Sequence, residues 1–362
     1  MILDERFLVQ VNDGLNEIAA CGSAVAYDRE YGVAAVMYNT GNHGHYGEST
    51  GKICLSVFSP SQPHNCRRRV ADTGVGESRG CLCNAVYPIG GGRFRIAFTL
   101  TKGDIAGYYR DYDLLTDSFT ERREMFFRTA RGDERLCSET YRNYLRDCGF
   151  PINSTEEPII NKVTSFDGRL YTAVSNDGWN YPVLCTIEDD VIVPFAVFPE
   201  LNTYEFRYFV DGSGIHGVSR IPPDDHGTGH CSYVRSADGG KTWEKTVFED
   251  GVQSRPDILS YRGKPLVIYN YRSDLSTENM PPMHNHRNAV KFVLDGKVIL
   301  DVFSKYGIVE HDTVVIAGEL YSAFSNCPLA LSTENGKAWE EEGRPVEQGK
   351  EAVQWIKVGY IG

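Results

Sequence analysis

The sequence lacks long hydrophobic runs: no stretch approaches the roughly 18 apolar residues that a membrane-spanning helix needs. The N-terminal segment Met-Ile-Leu-Asp-Glu-Arg-Phe also has no basic region followed by an apolar one, which is the pattern of a signal peptide. We therefore expect no membrane partner and a cytoplasmic location.

An excess of positive charge is also missing. The chain carries 37 Lys and Arg against 49 Asp and Glu, which gives a formal net charge of −12. A polyanion would be repelled by this surface unless a local basic patch overcame the field. Nucleic acid is therefore not an expected partner.

Closely spaced cysteines are almost absent. Of the ten cysteines only Cys81 and Cys83 are near each other, and no CxxC pair occurs. This spacing argues against a zinc knuckle, and free thiols in a reducing cytoplasm are the simpler account.

Long apolar helical stripes are few, whereas the 36 glycines and 21 tyrosines favour an all-β protein with many turns. One pattern recurs: an apolar strand, a turn with glycine, and a second strand. The copies are Ser23–Thr40, Asn84–Thr101, Asn161–Asn176, Phe206–Pro222, Asp257–Arg272 and Thr313–Asn326. Their spacing of roughly 50–75 residues is that of a four-stranded blade with its loops.

We assign each repeated hairpin to the inner two strands of a blade, and the strand pair that follows it to the outer two. Cys231–Ser236 and Thr242–Phe248 are one such outer pair. The sequence thus predicts a six-bladed β-propeller of four-stranded antiparallel blades. A seventh blade would follow if Arg6–Val11 and Ala352–Tyr360 paired with each other to close the ring.

One segment, 129–152, does not fit the repeat. Its run Leu136–Cys148 is ended by Gly149 and Pro151, and it predicts a short helix inserted between the second and third blades. No linker or shift in composition divides the chain, so we expect a single propeller domain over residues 1–362.

The stretch Ser236–Trp243 reads S-x-D-x-G-x-T-W, and Ser332–Trp339 is a degraded copy that keeps Ser, Gly and Trp. Asp238 can bond the backbone amides of the turn, and Gly239 and Gly240 can supply positive φ. The motif resembles the Asp-box (BNR repeat) of the sialidase superfamily of β-propellers, where it joins the two outer strands of a blade. That resemblance implies a structural turn on the face opposite the site.

Loops that join inner to outer strands, and those that join blades, open together on the other face, where function is expected. Seven of the nine histidines fall in these loops: His43, His45, His226, His230, His284, His286 and His311. Other candidate binding residues on this face are Arg79, Trp179, Tyr181, Arg220, Arg255, Arg272 and Arg287. Because arginine binds carboxylates bidentately and aromatic rings stack on sugars, we expect an oligosaccharide substrate with a carboxylate.

The tripeptide at Arg220-Ile-Pro resembles the motif that supplies the first arginine of sialidases, and Arg255 before Pro256 resembles a later one. The resemblance implies hydrolysis of a terminal sugar, with no cofactor required. Arg220 and Arg255, with Arg272 or Arg287, would bind the carboxylate. The implied acid/base is Asp224 or Asp225, and the implied nucleophile pair is Tyr271 or Tyr321 with Glu310.

The surplus of histidine leaves three alternatives open. β-Elimination by His43 or His45 with Tyr46, Tyr108 or Tyr109 and Arg79 or Arg220 would resemble propeller-fold uronate lyases and related rhamnosidases. A divalent metal on His284, His286 and His311 would resemble the ligand types of manganese-dependent oligogalacturonate lyases. A glycan-binding propeller without catalysis is the third.

Overall fold

The computed structural model describes residues 9–10, 20–40, 52–72, 82–100, 105–150, 158–175, 181–200, 203–221, 229–248, 255–271, 289–303, 311–326 and 352–358. These residues form six β-sheets and a single α-helix, which confirms the all-β expectation. None of the helical segments in these ranges is both long and apolar enough to cross a membrane.

The first strand in the chain, β1 (Val9–Gln10), belongs to the last sheet. The first sheet contains β2 (Ala20–Asp28), β3 (Val33–Thr40), β4 (Ile53–Phe58) and β5 (Arg67–Asp72), in that order. The second contains β6 (Leu82–Gly90), β7 (Arg93–Leu100) and β8 (Ala106–Asp113), and β8 also pairs with the short strands β9 (Ser118–Phe119) and β10 (Arg123–Glu124).

The third sheet is larger because the expected insertion adds to its edge. A hairpin of β11 (Phe126–Thr129) and β12 (Gly132–Arg135) precedes α1 (Ser138–Asp147). The sheet continues with β13 (Ile159–Ile160), β14 (Thr164–Phe166), β15 (Arg169–Ser175), β16 (Val183–Glu188) and β17 (Val191–Val197). Strand β11 pairs in parallel with β17, the last strand of the regular set. The predicted short helix is thus present, and its buried Tyr141 and Leu145 lie one turn apart on the face that packs inward.

The last three sheets each have four strands. The fourth contains β18 (Tyr204–Asp211), β19 (Gly214–Ile221), β20 (His230–Ser236) and β21 (Glu244–Phe248). The fifth contains β22 (Asp257–Tyr261), β23 (Lys264–Tyr271), β24 (Ala289–Leu294) and β25 (Lys297–Phe303). The sixth contains β26 (His311–Ile316), β27 (Glu319–Asn326), β28 (Ala352–Val358) and β1.

The first strands of the sheets stand side by side around a common axis. Each sheet contacts the next one in chain order, and β26 of the sixth contacts β2 of the first, so the sheets form a ring. The six repeated hairpins recognised in the sequence are the first two strands of these sheets, as predicted. Because the first two strands of each sheet are antiparallel, each first strand begins at the end of the ring where the second strand finishes. The loops before first strands and after second strands therefore open at the same end.

The two chain ends do pair, as considered for a seventh blade, but they complete the sixth sheet instead. Val9 of β1 lies opposite Trp355 of β28, and β28 also pairs with β27. The Trp355 ring packs edge-on against Phe58 of the first sheet, with 5.0 Å between centroids. This contact joins the last sheet to the first within the described part of the chain, and burying one such ring contributes about 1.5–3 kcal/mol.

The turn Ser236–Trp243 joins β20 to β21, the outer strands of the fourth sheet, and its residues act as predicted. Asp238 Oδ1 accepts bonds from the amides of Lys241 (3.0 Å) and Thr242 (2.9 Å). Gly239 and Gly240 have φ of +75° and +92°. The Trp243 ring packs edge-on against Phe198 of the third sheet, 5.0 Å between centroids. The second copy, Ser332–Trp339, lies outside the described residues.

Candidate functional site

Most of the predicted site residues lie outside the described ranges. They are His43, His45, Arg79, Trp179, Asp224, Asp225, His226, Arg272, His284, His286, Arg287 and Glu310. Nine of the predicted set are described: Tyr108, Tyr109, Tyr181, Arg220, His230, Arg255, Tyr271, His311 and Tyr321.

Several of these residues lie at the end of the ring where first strands begin and second strands finish. Arg220 is near the end of β19 and pairs in register with Tyr204 at the start of β18, and Tyr271 is the last residue of β23. Arg255 comes two residues before β22, and His311 is the first residue of β26. The topology therefore brings residues of the fourth, fifth and sixth sheets to one face.

A buried ionic cluster lies beneath this face, and no sequence pattern predicted it. Its members are Lys162, Arg207, Asp257 and Asp312, one from each of four sheets. The Lys162 ammonium lies 2.8 Å from Asp257 Oδ2 and 2.7 Å from Asp312 Oδ1. Arg207 Nη1 lies 3.2 Å from Asp257 and 3.3 Å from Asp312.

The cluster also satisfies backbone groups at the free edges of the first strands. The Val25 amide of β2 donates to Asp312 Oδ2 at 2.7 Å, and the Thr313 amide donates to Asp257 Oδ2 at 2.8 Å. Burial alone would raise the pKa of Asp257, but the charges of Lys162 and Arg207 outweigh it and hold that pKa below its usual value. The two cations and two carboxylates balance, so the cluster carries no net charge.

His311 lies next to the cluster and is only 2% exposed. Neither ring nitrogen has a hydrogen-bond partner among the described residues. Burial, followed by the positive charge of Arg207, lowers the pKa of His311 to about 3; Asp312 opposes this shift and Arg255 adds to it. The imidazole is therefore neutral near pH 7, where one ring nitrogen can accept a hydrogen bond and the other can donate one.

Glu205 joins the site beside Arg220, and sequence reasoning missed it. Arg220 Nη1 lies 3.7 Å from Glu205 Oε2, and the two side chains are 21% and 13% exposed. Glu205 has φ of +53° at a bulge inside β18, whereas the other described non-glycine residues with positive φ lie in turns. Such a backbone costs on the order of 1–3 kcal/mol and often marks a functional position. No residue spacing or motif in the sequence indicates a bulge at this position, so Glu205 could not be predicted as a site residue.

Tyr271 has a carboxylate partner among the described residues, whereas the predicted partner Glu310 lies outside them. Its hydroxyl donates to Asp301 Oδ1 at 2.6 Å, and Lys291 Nζ lies 4.3 Å from the centre of its ring. Asp301 is in β25, the fourth strand of the sheet, so the tyrosine reaches outward from the axis. Tyr321 lies in the middle of β27 and stacks on Trp355, 5.4 Å between centroids.

The other described tyrosines that were predicted for the site, Tyr108, Tyr109 and Tyr181, also have packing partners. Tyr181 packs against Phe150 of the insertion, 5.0 Å between centroids. Arg95 lies over the ring of Tyr109, 4.0 Å from its centre, and Arg135 donates to the Tyr108 hydroxyl. These contacts tie the three rings to the second and third sheets.

Among the described residues, no group of three or more His, Cys, Asp and Glu side chains is placed to hold a metal ion. The metal hypothesis therefore remains a prediction that depends on His284 and His286, outside those ranges.

No protein-family model matches the chain, and neither does any curated protein. Solved structures do match. Trypanosoma rangeli sialidase in complex with sialic acid is 9% identical with a TM-score of 0.58, covering 99% of this chain and 58% of that one. The same sialidase with 2,3-difluoro-KDN is 10% identical with a TM-score of 0.59, covering 97% and 58%. The chain therefore has a sialidase-like β-propeller fold, and it spans 58% of the length of these sialidase chains.

Proposed function

We propose that the protein is a carbohydrate-active enzyme that removes a terminal residue from an anionic oligosaccharide by sialidase-like glycoside hydrolysis. One observation carries the proposal: arginines from two neighbouring sheets gather at one face. Arg220 and Arg255 lie at this face, and the fully buried Arg207 lies beneath it. In a protein of net charge −12, arginines concentrated at one site are suited to bind a carboxylate there.

In this proposal Arg220 and Arg255 bind the substrate carboxylate together with Arg272 or Arg287. Asp224 or Asp225 is the acid/base, and a tyrosine activated by a carboxylate is the nucleophile. Tyr271 with Asp301 is a described tyrosine–carboxylate pair, and the expected pairing of Tyr271 or Tyr321 with Glu310 stays a prediction. Glu205, held beside Arg220, is a further candidate carboxylate.

The same proposal includes the architecture and the compartment. We take each of the six sheets as one blade of a six-bladed propeller that forms a single domain, with Ser236–Trp243 as its Asp-box. The free thiols of Cys54, Cys66, Cys137, Cys148, Cys185 and Cys231 support a reducing, cytoplasmic location. In the cytoplasm the substrate would be a short imported oligosaccharide.

A second candidate is β-elimination of a uronate, and the two ring nitrogens of His311, which have no partner among the described residues, favour it as a hydrogen-bonding group for the sugar. A lyase needs a base to take the C5 proton while an arginine neutralises the carboxylate. The lowered pKa of His311 makes it a weak base, so His43 or His45 would take the proton. His43, His45 and Arg79 would complete the set from outside the described ranges.

The test is incubation with a panel of sialylated and uronate-containing oligosaccharides. Release of a saturated terminal sugar supports hydrolysis, and ultraviolet absorbance from a new C4–C5 double bond supports elimination. Binding of these glycans without turnover would contradict both and support a binding propeller. Arg255→Met should abolish activity, and Arg123→Met, at an exposed position in the second sheet, is the matched control.

A further inference from the structure

A cavity opens at the end of the axis opposite the candidate site. Its volume is about 580 Å³, within the range of roughly 300–1,000 Å³ typical of small-molecule sites. Its mouth includes Asp28, Arg29 and Glu30 at the turn after β2. First strands begin at the face that carries His311 and end at this turn, so the two openings lie at opposite ends of the ring.

The ionic cluster separates this cavity from the site described above. Lys162 and Thr313 belong to the lining of the cavity. The Lys162 ammonium is bonded to both Asp257 and Asp312 and to the Thr313 carbonyl at 2.6 Å. A ligand in the cavity therefore meets a cation whose charge is already neutralised.

The walls offer both donors and acceptors. The walls are the first strands of the first, second, third and sixth sheets. Each of these strands pairs with a neighbour on one side only, so its other edge carries backbone amides and carbonyls that face the axis. At the cluster, the free edge groups are bonded by side chains, as at the Val25 amide and the Thr313 amide. Beyond the cluster, the edges of β2, β6, β14 and β26 line the cavity, so polar backbone groups of both kinds border it.

Apolar surface alternates with these polar edges. Each of the four sheets contributes at least one valine, and the five are Val25, Val86, Val163, Val314 and Val315. Tyr27 and Tyr87 add aromatic rings. This lining, in which the polar edges outweigh the apolar side chains, suits the hydroxyl groups and the apolar faces of a sugar ring.

The charges at the mouth argue against an anion. Asp28 and Glu30 outnumber Arg29, and Asp28 Oδ1 already accepts bonds from the amides of Glu30 (2.9 Å) and Tyr31 (3.1 Å). The described residues also place no metal-holding group of three or more side chains here. With anions and metal ions set aside, the ligand class that fits the cavity is a neutral molecule rich in hydroxyl groups.

We propose that this cavity is a second binding site, which takes a neutral saccharide of one or two units. It does not depend on the function proposed for the opposite face, because no residue of that proposal except the shared cluster borders it.

The test measures binding of glucose, galactose, mannose, rhamnose and arabinose by saturation-transfer NMR, with glucuronate as the anionic comparison. Ser165→Tyr places a larger side chain in the cavity from an exposed position on β14, and Glu30→Trp narrows the mouth of the cavity. We expect each to weaken binding of the neutral sugar at least tenfold. Ser61→Tyr, an exposed serine away from the cavity, should bind normally.

Crystals soaked with the best binder should show the sugar among these strands. Water alone in the cavity, preference for glucuronate, or unchanged affinity in both filled variants would overturn the proposal. Arg255→Met, altered on the opposite face, should bind the neutral sugar as the parent does. A loss in that variant would assign the neutral sugar to the other face and also overturn the proposal.

Discussion

The Lys162 ammonium and the Asp312 carboxylate lie 2.7 Å apart across the axis, although 150 residues separate them in the sequence. Lys162 belongs to the third sheet and Asp312 to the sixth. The contact therefore joins opposite sides of the ring, and through Arg207 and Asp257 it also fixes the fourth and fifth sheets. It positions the starts of the strands that carry Arg255 and His311.

Removing the Lys162 charge should destabilise the fold strongly. Lys162→Met leaves two buried carboxylates with one cation, and breaking a buried pair in this way costs about 3–5 kcal/mol. Urea unfolding measures the loss. Lys264→Met, which removes an exposed pair with Asp295, should cost at most about 1 kcal/mol. Equal losses in the two variants would contradict a supporting role for the cluster.

His311 should make stability fall in acid. Its folded pKa of about 3 is below the ordinary histidine pKa of 6.5, so between these pH values the unfolded chain binds the extra proton and folding weakens as pH falls. At pH 5 the contribution is about 2 kcal/mol. His311→Gln should flatten the stability profile from pH 7 to pH 5, as measured by urea unfolding. The exposed His64→Gln should leave the slope as it is.

Asp257 should add a second acid-sensitive step at lower pH. Its folded pKa is lowered, so its stabilising contribution is complete above the ordinary aspartate pKa of about 3.9 and disappears as pH falls through the folded value. The thermal midpoint should therefore drop again below about pH 4. Asp257→Asn should lose this step, and a drop of unchanged size in that variant would refute the assignment.

Arg220 and Arg255 should control binding of acidic sugars. A hydrogen bond to a charged group contributes about 1.5–3 kcal/mol, so Arg220→Met or Arg255→Met should weaken a carboxylate ligand about ten- to a hundredfold. Isothermal titration with a non-cleaved sialoside or uronate gives the measurement. Arg123→Met is the control, and thermal melts exclude unfolding. Unchanged affinity in both site variants would contradict binding of the carboxylate at this face.

The turn at Asp238 should matter for stability and not for chemistry. Bonds from the Thr242 hydroxyl and amide lower the pKa of Asp238, and its loss frees the amides of the turn. Asp238→Ala should lower the melting temperature while ligand affinity at the opposite face stays the same. Glu121→Ala, at an exposed position, should change neither quantity. A selective loss of affinity would place the turn near the site.

The hairpins and the Ser236–Trp243 turn were predictable because their signals are local. Glycine in a turn and alternating strands on either side can be read from about twenty adjacent residues. The ionic cluster was not predictable, because each member comes from a different sheet and a lone lysine or aspartate in a strand has no distinctive neighbour. Glu205 and the Tyr271–Asp301 contact were missed for related reasons: a bulge and a cross-strand partner are set by register.

The pairing of β1 with β28 has a consequence for how the molecule is made. These two strands are separated by nearly the whole chain, and they belong to one sheet. During synthesis the first sheets can form while later ones are still absent, since domains fold as their residues emerge. The sixth sheet, however, cannot gain its last strands until translation has passed Val358. Ring closure is therefore a late step, and until then the free side of the first sheet exposes the surface that Trp355 will cover.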